Sequence, residues 1–277
     1  MPTDVAVSAE ERIAEAKADC EKRGAQFVNN PQVRLVDFNF GSASKTQGMS
    51  DKPLRLKLGW TEYYHTRLTN QTRHYVLPDG KSIGRKYGPD LNDFVSSGLS
   101  NSIATNMSVV TSDKKIFLAT RSIKMAWNPG NFQPAVSGDG QPEDLDENGI
   151  YDPVHTAMRE GVEECLGDYP VQREHITFFG LGRTMGTQFP FLFGEIRVPI
   201  TANQVLGFQP LMKEGERIPI DFTIEGVCKW VEEFHLDHFD GRRGGVIGTT
   251  LFSLLQSLHY EYRDRWLEIQ KKLTRKR

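Results

Sequence analysis

The fold of this chain is decided by the stretch Arg-Glu-Gly-Val-Glu-Glu, which occupies residues 159–164. Glu160, Glu163 and Glu164 stand at positions i, i+3 and i+4, a spacing that places side chains on one face of a helix. Like charges at this spacing repel each other by about 0.2–0.5 kcal/mol per pair. The stretch therefore predicts either a hydrated acidic face or a site where a hard divalent cation gathers the carboxylates.

The helix that carries this stretch is predicted to begin at Asp152 and Pro153 and to end near Gly167. Aspartate can accept hydrogen bonds from the first free amides of a helix, and proline is tolerated at the first helical position. Apolar and thiol side chains then recur on one stripe, which predicts that the helix packs against a sheet. The stripe consists of Val154, Met158, Val162, Cys165 and Leu166.

Strand-like runs flank the helix on both sides. Apolar patterns predict strands at residues 103–110, 116–120, 176–181 and 189–198, and a short buried strand at residues 134–136. The polar residues between the first two runs suit a hairpin, and an acidic, glycine-rich loop fills residues 138–151. A long amphipathic helix is predicted at residues 247–262.

The residues before about position 100 are predicted to be ordered. Ser8 and Glu11 fit a capping box at the start of a helix that ends near Gly24. Strand patterns follow at residues 33–40 and 54–58, and a turn at residues 78–80. We therefore divide the chain into an N-terminal extension, residues 1–100, and a second domain, residues 101–277.

Composition limits the classes of partner. The 34 basic and 36 acidic side chains leave a net charge of -2, so binding to long nucleic acids is not expected. No apolar run is long enough to span a membrane, and the first twenty residues do not resemble a secretory leader. The 3 cysteines are widely spaced, which favours a reducing cytoplasm over a disulfide framework. The oligomeric state is not indicated.

Arg159 and the three glutamates match the core of the Nudix box, and residues 101–200 resemble the Nudix hydrolases. The box runs glycine, five residues, glutamate, seven residues, then arginine, glutamate, an apolar residue, any residue, two glutamates, any residue, glycine and an apolar residue. The resemblance implies an α/β fold, a Nudix-like α/β/α sandwich with a mixed β-sheet, preceded here by an ordered α+β extension. It also implies that Glu160, Glu163 and Glu164 bind Mg²⁺ or Mn²⁺ and that Arg159 holds a carboxylate in place.

The match departs from the family pattern at several positions. Gly161 stands where the family has an apolar side chain, and the usual glycine-apolar pair is replaced by Leu166 and Gly167. Gly138 and Asp144 reproduce the opening of the box with aspartate in place of glutamate. Fourteen residues instead of seven then precede Arg159, so this loop has gained seven residues.

The enlarged loop also fits the first half of a calcium loop. Asp144, Asp146, Asn148 and Asp152 occupy positions one, three, five and nine of such a loop. His155 stands at position twelve, where a calcium loop needs a bidentate glutamate. The alternatives are a Ca²⁺ site and an acidic turn closed by glycine.

Further candidate contacts lie outside the helix. Arg121, Arg183 and Gly138 are candidate substrate contacts, although surface ion pairs explain the two arginines equally well. Acidic and histidine residues between positions 232 and 240 suggest a second metal patch, but a hydrated surface is the expected state. These residues are Glu232, Glu233, His235, Asp237, His238 and Asp240.

Residues 58–63 with Thr69 and Asn70 are similar to a stretch that precedes the Nudix fold in uridine-diphosphate-sugar hydrolases. This similarity implies a nucleoside-diphosphate sugar as the leading substrate class. Trp60 and Tyr63 are candidates for stacking on the base, and the alternative is that these aromatic residues belong to the core.

The resemblance implies a metal-dependent hydrolase that cuts a diphosphate linkage and releases a nucleoside monophosphate. Its catalytic residues would be Glu163, Glu164 and Arg159, with Glu164 as the general base. Glu214, Glu216 and Glu225 are alternative bases later in the chain. The alternative function is a non-catalytic nucleotide- or calcium-binding module on the same fold.

Overall fold

The computed structural model describes residues 1–25, 27–40, 53–124, 130–212, 215–233 and 248–274. It shows a mixed α/β fold, and it confirms the predicted fold class. In the part of the chain that is described, no helix is long and apolar enough to cross a membrane.

The N-terminal residues form an ordered α+β unit. Its elements are α1 (Thr3–Val7), α2 (Ala9–Lys22), β1 (Pro31–Phe40), β2 (Leu54–Glu62), α3 (Tyr63–Leu68) and α4 (Ile83–Tyr87). Strands β1 and β2 form an antiparallel pair. The predicted capping box is wrong: the side chain of Ser8 makes no capping hydrogen bond within the described residues, because the chain enters α2 directly from α1.

The remaining elements build one larger sheet with helices on both faces. The strands are β3 (Ala104–Val110), β4 (Lys115–Arg121), β5 (Phe132–Pro134), β6 (Val136–Asp139), β7 (Ile176–Arg183), β8 (Pro190–Arg197) and β9 (Gly215–Asp221). The helices are α5 (Pro153–Glu160), which continues as a π-helical segment (Gly161–Leu166), α6 (Ala202–Gly207), α7 (Ile224–Glu233), α8 (Gly248–Glu261) and α9 (Trp266–Thr274). Short 3-10 turns lie at Pro142–Asp144, Arg173–His175 and Arg263–Arg265.

Strand β3 runs through the middle of this sheet. It pairs in parallel with β8 along its whole length and antiparallel with β4 near the hairpin that joins them. Beyond the hairpin β3 and β4 have other neighbours, β6 for β3 and β5 for β4. The predicted single strand at residues 134–136 is therefore two strands, because the chain crosses from β4 to β3 at Ala135. Strand β9 pairs with β4.

Alternate residues of β3 and β4 point into two separate cores. Val109 and Phe117 belong to a core covered by α5 and the π segment, whereas Val110 and Ile116 belong to a core covered by α7, α8 and α9. This period-two alternation is what a strand buried on both faces requires. The sheet therefore lies between two helical layers.

The N-terminal unit packs onto the larger sheet. The amide of Val33 donates to the carbonyl of Gly140 at 2.7 Å, and the amide of Ile103 donates to the carbonyl of Val33 at 2.9 Å. Val33, Leu35 and Phe94 also share an apolar cluster with Ile103 and Leu192. One core therefore spans the boundary near residue 100.

The long amphipathic helix predicted near the C-terminus corresponds to α8. Helix α8 ends at Glu261, and a 3-10 turn separates it from α9. Leu254 and Leu258 are buried as predicted, while Ile247 lies outside the described residues. The turn redirects the chain so that Ile269 of α9 enters the same core.

Candidate functional site

The carboxylate helix begins and ends where the sequence predicts. The Oδ1 atom of Asp152 accepts a hydrogen bond from the amide of Val154 at 2.9 Å, and Pro153 occupies the first turn. The helix ends at Gly167, whose φ of 52° lies in the left-handed region that favours glycine. Its second half is π-helical, a wider winding that is frequent at functional sites.

Two of the three glutamates, Glu160 and Glu164, lie against the backbone of β6. Glu160 is 6% exposed and Glu164 is 8% exposed. The Oε2 atom of Glu164 accepts a hydrogen bond from the amide of Ser137 at 2.6 Å. A Cβ atom at Gly138 would stand 1.8 Å from Oε1 of Glu160, so any larger residue here would displace the Glu160 carboxylate. The absence of a side chain at Gly138 therefore seats Glu160 against the strand.

Arg159 contacts three carboxylates. Its Nε donates to Asp144 at 2.9 Å, and its Nη1 donates to Glu160 at 2.7 Å and to Glu163 at 3.2 Å. Its Nη2 donates to Asp144 at 3.0 Å and to the carbonyl of Asp139 at 3.1 Å. Burial lowers the pKa of Arg159, but the hydrogen bond to Asp144 and the charge of Glu160 outweigh it, so the pKa is raised.

Asp144 faces the interior rather than the loop. It is 1% exposed, and besides Arg159 it accepts hydrogen bonds from the amide of Gln141 and the hydroxyl of Thr156. A carboxylate with these partners is a poor first ligand for the predicted calcium loop, because its oxygens are already engaged. Asp144 instead anchors the guanidinium that holds the glutamates.

The other residues of the proposed calcium loop form a turn and a cap. The Oδ1 atom of Asp146 accepts from the amides of Asn148 and Ile150 at 2.9 and 2.8 Å. Asp152 caps α5 and pairs with Arg173. Gly149 has a φ of 73° and closes the turn. The geometry therefore favours the acidic turn over the Ca²⁺ site.

The donor chemistry of the helix fits a hard divalent ion. Carboxylate oxygens are the ligands that Mg²⁺ and Mn²⁺ prefer, and Glu160, Glu163 and Glu164 supply them within two turns of one helix. Among the described residues, no three His, Cys, Asp or Glu side chains are arranged around a common point as a preformed metal site. The glutamates contact Arg159 and the amide of Ser137 instead.

A cavity of about 740 Å³ borders strand β6. Ser137, Gly138 and Asp139 form part of its wall, so the backbone that contacts Glu160 and Glu164 also borders the cavity. The β8 residues Phe191 and Phe193 contribute aromatic surface. A cavity of this size and lining suits a ligand of nucleotide size.

Asp139 is a site residue that sequence analysis did not single out. Its Oδ1 accepts from the hydroxyl of Ser102 at 3.0 Å, and its Oδ2 accepts from Nε2 of Gln32 at 2.7 Å. Burial raises the pKa of Asp139 to about 6, although both the Ser102 hydrogen bond and the charge of Arg159 lower it. The only sequence signal for Asp139 is that it follows Gly138, a candidate site residue. Its partner Gln32 lies 107 residues away along the chain, so their contact could not be predicted from the sequence.

The two candidate arginines line the cavity. Arg121 donates to the side chain of Gln133. Arg183 donates to the carbonyls of Leu91 and Gln188 at 2.6 and 2.7 Å and to Oδ1 of Asn101 at 2.9 Å. The suggested surface ion pair is therefore incorrect for Arg183, because its hydrogen-bond partners among the described residues are neutral oxygens. Its guanidinium also lies 4.1 Å from the ring centroid of Phe94.

The two candidate aromatic residues lie at different pockets. Tyr63 lines the cavity and meets Phe27 edge to face at 5.6 Å between ring centroids. Trp60 is 53% exposed and borders a shallow pocket with Asn30 and Glu62. The alternative that Trp60 belongs to the core is therefore wrong.

The remaining candidates lie away from the helix or outside the described residues. Glu216 is exposed on β9, and Glu225 pairs with Lys272 at 2.6 Å. Glu232 and Glu233 are exposed at the end of α7. Residues outside the description are Glu214, His235, Asp237, His238 and Asp240.

Comparison with known proteins gives distant likenesses. No family model and no curated protein matches the chain. A Deinococcus radiodurans protein of known structure is 15% identical, has a TM-score of 0.34, and aligns over 56% of this chain and 82% of its own. A NUDIX hydrolase from Alicyclobacillus acidocaldarius is 13% identical, with a TM-score of 0.38, over 56% and 89%. An ADP compounds hydrolase is 10% identical, with a TM-score of 0.34, over 90% and 100%.

Proposed function

We propose that this protein is a Nudix-type hydrolase that cuts the diphosphate linkage of a nucleoside diphosphate derivative. The products would be a nucleoside monophosphate and a second phosphorylated fragment. One observation carries the proposal: Ser137 and Gly138 contact the buried glutamates and also form the wall of the large cavity. A substrate in the cavity would therefore contact the same β6 residues against which Glu160 and Glu164 pack.

Glu160, Glu163 and Glu164 would hold Mg²⁺ or Mn²⁺. When bound, such an ion neutralises phosphoryl oxygens and makes bound water more acidic. Arg159 would act as a positioning residue, because it contacts both Glu160 and Glu163 and is itself anchored by Asp144. Its guanidinium offsets part of the repulsion between the glutamates before a cation arrives.

Two carboxylates compete for the role of general base. Glu164 belongs to the helix and accepts from the amide of Ser137. Asp139 lies on the cavity wall, and its pKa of about 6 is close to the value that suits proton transfer near neutral pH. Of the two, Asp139 has the more direct access to a ligand in the cavity.

A nucleoside-diphosphate sugar is the substrate class that we favour. The aromatic side chains of Tyr63, Phe191 and Phe193 give the cavity surfaces on which a base can stack. Gly138, Arg121 and Arg183 line the same cavity, and the two guanidiniums suit phosphate or sugar oxygens. The three cysteines are free and buried, which is in keeping with the reducing cytoplasm that we expect.

The test is incubation with a panel of nucleoside diphosphate derivatives and Mg²⁺, with monophosphate release as the readout. We expect Glu163→Gln and Glu164→Gln to lower kcat by about 10²-fold or more, because the variants lose a carboxylate that binds metal or accepts a proton. The matched control is Glu21→Gln, which changes an exposed glutamate on α2 and should retain full activity.

A non-catalytic nucleotide-binding module is the second candidate. It is favoured by the pairing of Arg159 with Glu160 and Glu163, and by the lack of a preformed cluster among the described residues. Saturable nucleotide binding without turnover of any panel member would establish it and exclude the hydrolase.

A further inference from the structure

A second groove lies between the N-terminal unit and the β7–β8 hairpin. Its volume is about 580 Å³, and its lining includes the side chains of Arg73, His74 and Arg85. None of the described lining residues is acidic. The groove is therefore electropositive in a chain whose net charge is -2.

Arg73 is held in the groove by the hairpin backbone. Its Nη1 donates to the carbonyls of Met185 and Gly186 at 3.0 and 2.7 Å, and its Nε is buried without a hydrogen-bond partner in the description. A Cβ atom at Gly84 would stand 2.7 Å from this Nε, so a glycine there makes room for the guanidinium. Arg73 is thus fixed in place while part of its hydrogen-bonding capacity is unused.

The charge of Arg73 also lacks a close counter-ion. No described carboxylate forms an ion pair with Arg73 or Arg85, whereas the neighbouring Lys86 pairs with both Asp4 and Asp79 at 2.6 Å. Burial lowers the pKa of Arg73, and the charge of Arg73 contributes to lowering the pKa of Arg183 to about 10, where burial is the largest cause. A phosphate beside Arg73 would offset both the desolvation of Arg73 and its repulsion of Arg183.

The groove adjoins the large cavity. Gln71, Gly186 and Thr187 line both spaces, so the hairpin is their shared wall. The two spaces therefore lie side by side along the loop of this hairpin. Guanidinium groups bind phosphate oxygens with a geometry that suits a fork of two donors.

We propose that the groove formed by Arg73, His74 and Arg85 binds a phosphate group of a ligand that extends from the large cavity. The substrate would then carry a phosphate in addition to the diphosphate that is cut. The extra phosphate on the substrate rests on the proposed hydrolase function, whereas the anion site in the groove does not.

The first experiment measures the anion site alone. Inorganic phosphate is titrated into the full chain by calorimetry at low ionic strength in the presence of EDTA, so that no metal can recruit phosphate to the glutamates. We expect saturable binding that weakens at least tenfold in Arg85→Gln and weakens with added salt. Arg55→Gln is the matched control, since it removes an exposed arginine on β2.

Arg85→Gln is the decisive variant because Arg73 also holds the hairpin. Arg73→Lys adds a second measure, since lysine keeps the charge but loses the fork and should bind phosphate more weakly than the wild type. An absence of saturable heat in the wild type would overturn the proposal. Equal affinity in Arg85→Gln and Arg55→Gln would also overturn it, because the phosphate would then be bound elsewhere as an adventitious ion only.

The second experiment compares two substrates that differ by one phosphate group outside the cleaved linkage. We expect Arg85→Gln to raise KM at least fivefold for the substrate with the extra phosphate and to leave KM for the other unchanged. Equal effects on both would contradict a substrate phosphate in the groove. Absence of turnover with either substrate would refute the hydrolase, while the titration in EDTA would still decide the anion site.

Discussion

Asp139 is a carboxylate whose folded environment opposes its charge. Two neutral donors, Ser102 and Gln32, hold it beside the cavity, and burial raises its pKa to about 6. An aspartate in an unfolded chain has a pKa near 3.9. Between about pH 4 and 6 the folded protein therefore keeps a proton that the unfolded chain has released, so stability falls as pH rises through this window.

Replacement of Asp139 by Asn should remove this part of the pH dependence. From pH 4 to pH 6 we expect the wild type to lose about 2 kcal/mol of unfolding free energy relative to Asp139→Asn, and the difference should level off above pH 7. Urea unfolding at a series of pH values measures it. Parallel stability curves for the two proteins would show that Asp139 has an ordinary pKa.

At the scale of single residues, the sequence shows which carboxylates share a helix face, but not which side chains contact each other across the fold. The spacing of Glu160, Glu163 and Glu164 could be read directly, because the helical period determines which side chains share a face. The contact between Arg159 and Asp144 could not be read, since it depends on how the enlarged loop folds back. The same is true of Asp139 and Gln32, which meet only when β1 packs on the larger sheet.

At the scale of elements, the carboxylate helix was predictable because its ends carry strong local signals. Asp152, Pro153 and Gly167 define it without help from tertiary structure. Its π-helical half was not predictable, because six residues do not distinguish the two windings by periodicity. Strand β9 was also missed: Pro219 interrupts its pattern, and its pairing with β4 is a long-range contact.

Gly167 should be the most sensitive position at the end of this helix. Its φ is 52°, and an added Cβ would stand 2.5 Å from the carbonyl oxygen of Gln209. We expect Gly167→Ala to lower the unfolding free energy by about 2–4 kcal/mol, because left-handed strain and a backbone clash act together. Urea unfolding of the variant measures this loss.

Gly149→Ala provides the matched control. Gly149 has a φ of 73°, but a Cβ there would have nothing within 4 Å. Only the left-handed strain remains, so the expected loss is about 1 kcal/mol. If the two substitutions have the same effect, the contact with Gln209 is not a constraint on the helix end.

At the scale of the whole molecule, one apolar cluster crosses the predicted boundary at residue 100, while each of the other clusters lies on one side of it. The apolar cluster of Val33, Leu35, Phe94, Ile103 and Leu192 contains residues from both parts. Sequence patterns located most strands on each side of this boundary, but they could not show that the parts pack together. The packing depends on long-range contacts, such as that between Val33 and Ile103, which leave no local pattern in the sequence.

A fragment of residues 101–277 should therefore fail to fold as a stable monomer. Removal of the N-terminal unit would expose Ile103 and Leu192 and leave the amide of Ile103 without its carbonyl partner. We expect aggregation in size-exclusion chromatography and no cooperative urea transition, with the full chain as the control. A monomeric fragment that unfolds cooperatively would contradict this prediction.

The β7–β8 hairpin forms a wall of both the large cavity and the cationic groove. Such sharing has an evolutionary consequence. An insertion or substitution between residues 184 and 189 would change two recognition surfaces at once, so selection cannot adjust one without altering the other. Divergence in specificity should be easier on the opposite sides, through α8 for the cavity and α4 for the groove, than through the element that joins them.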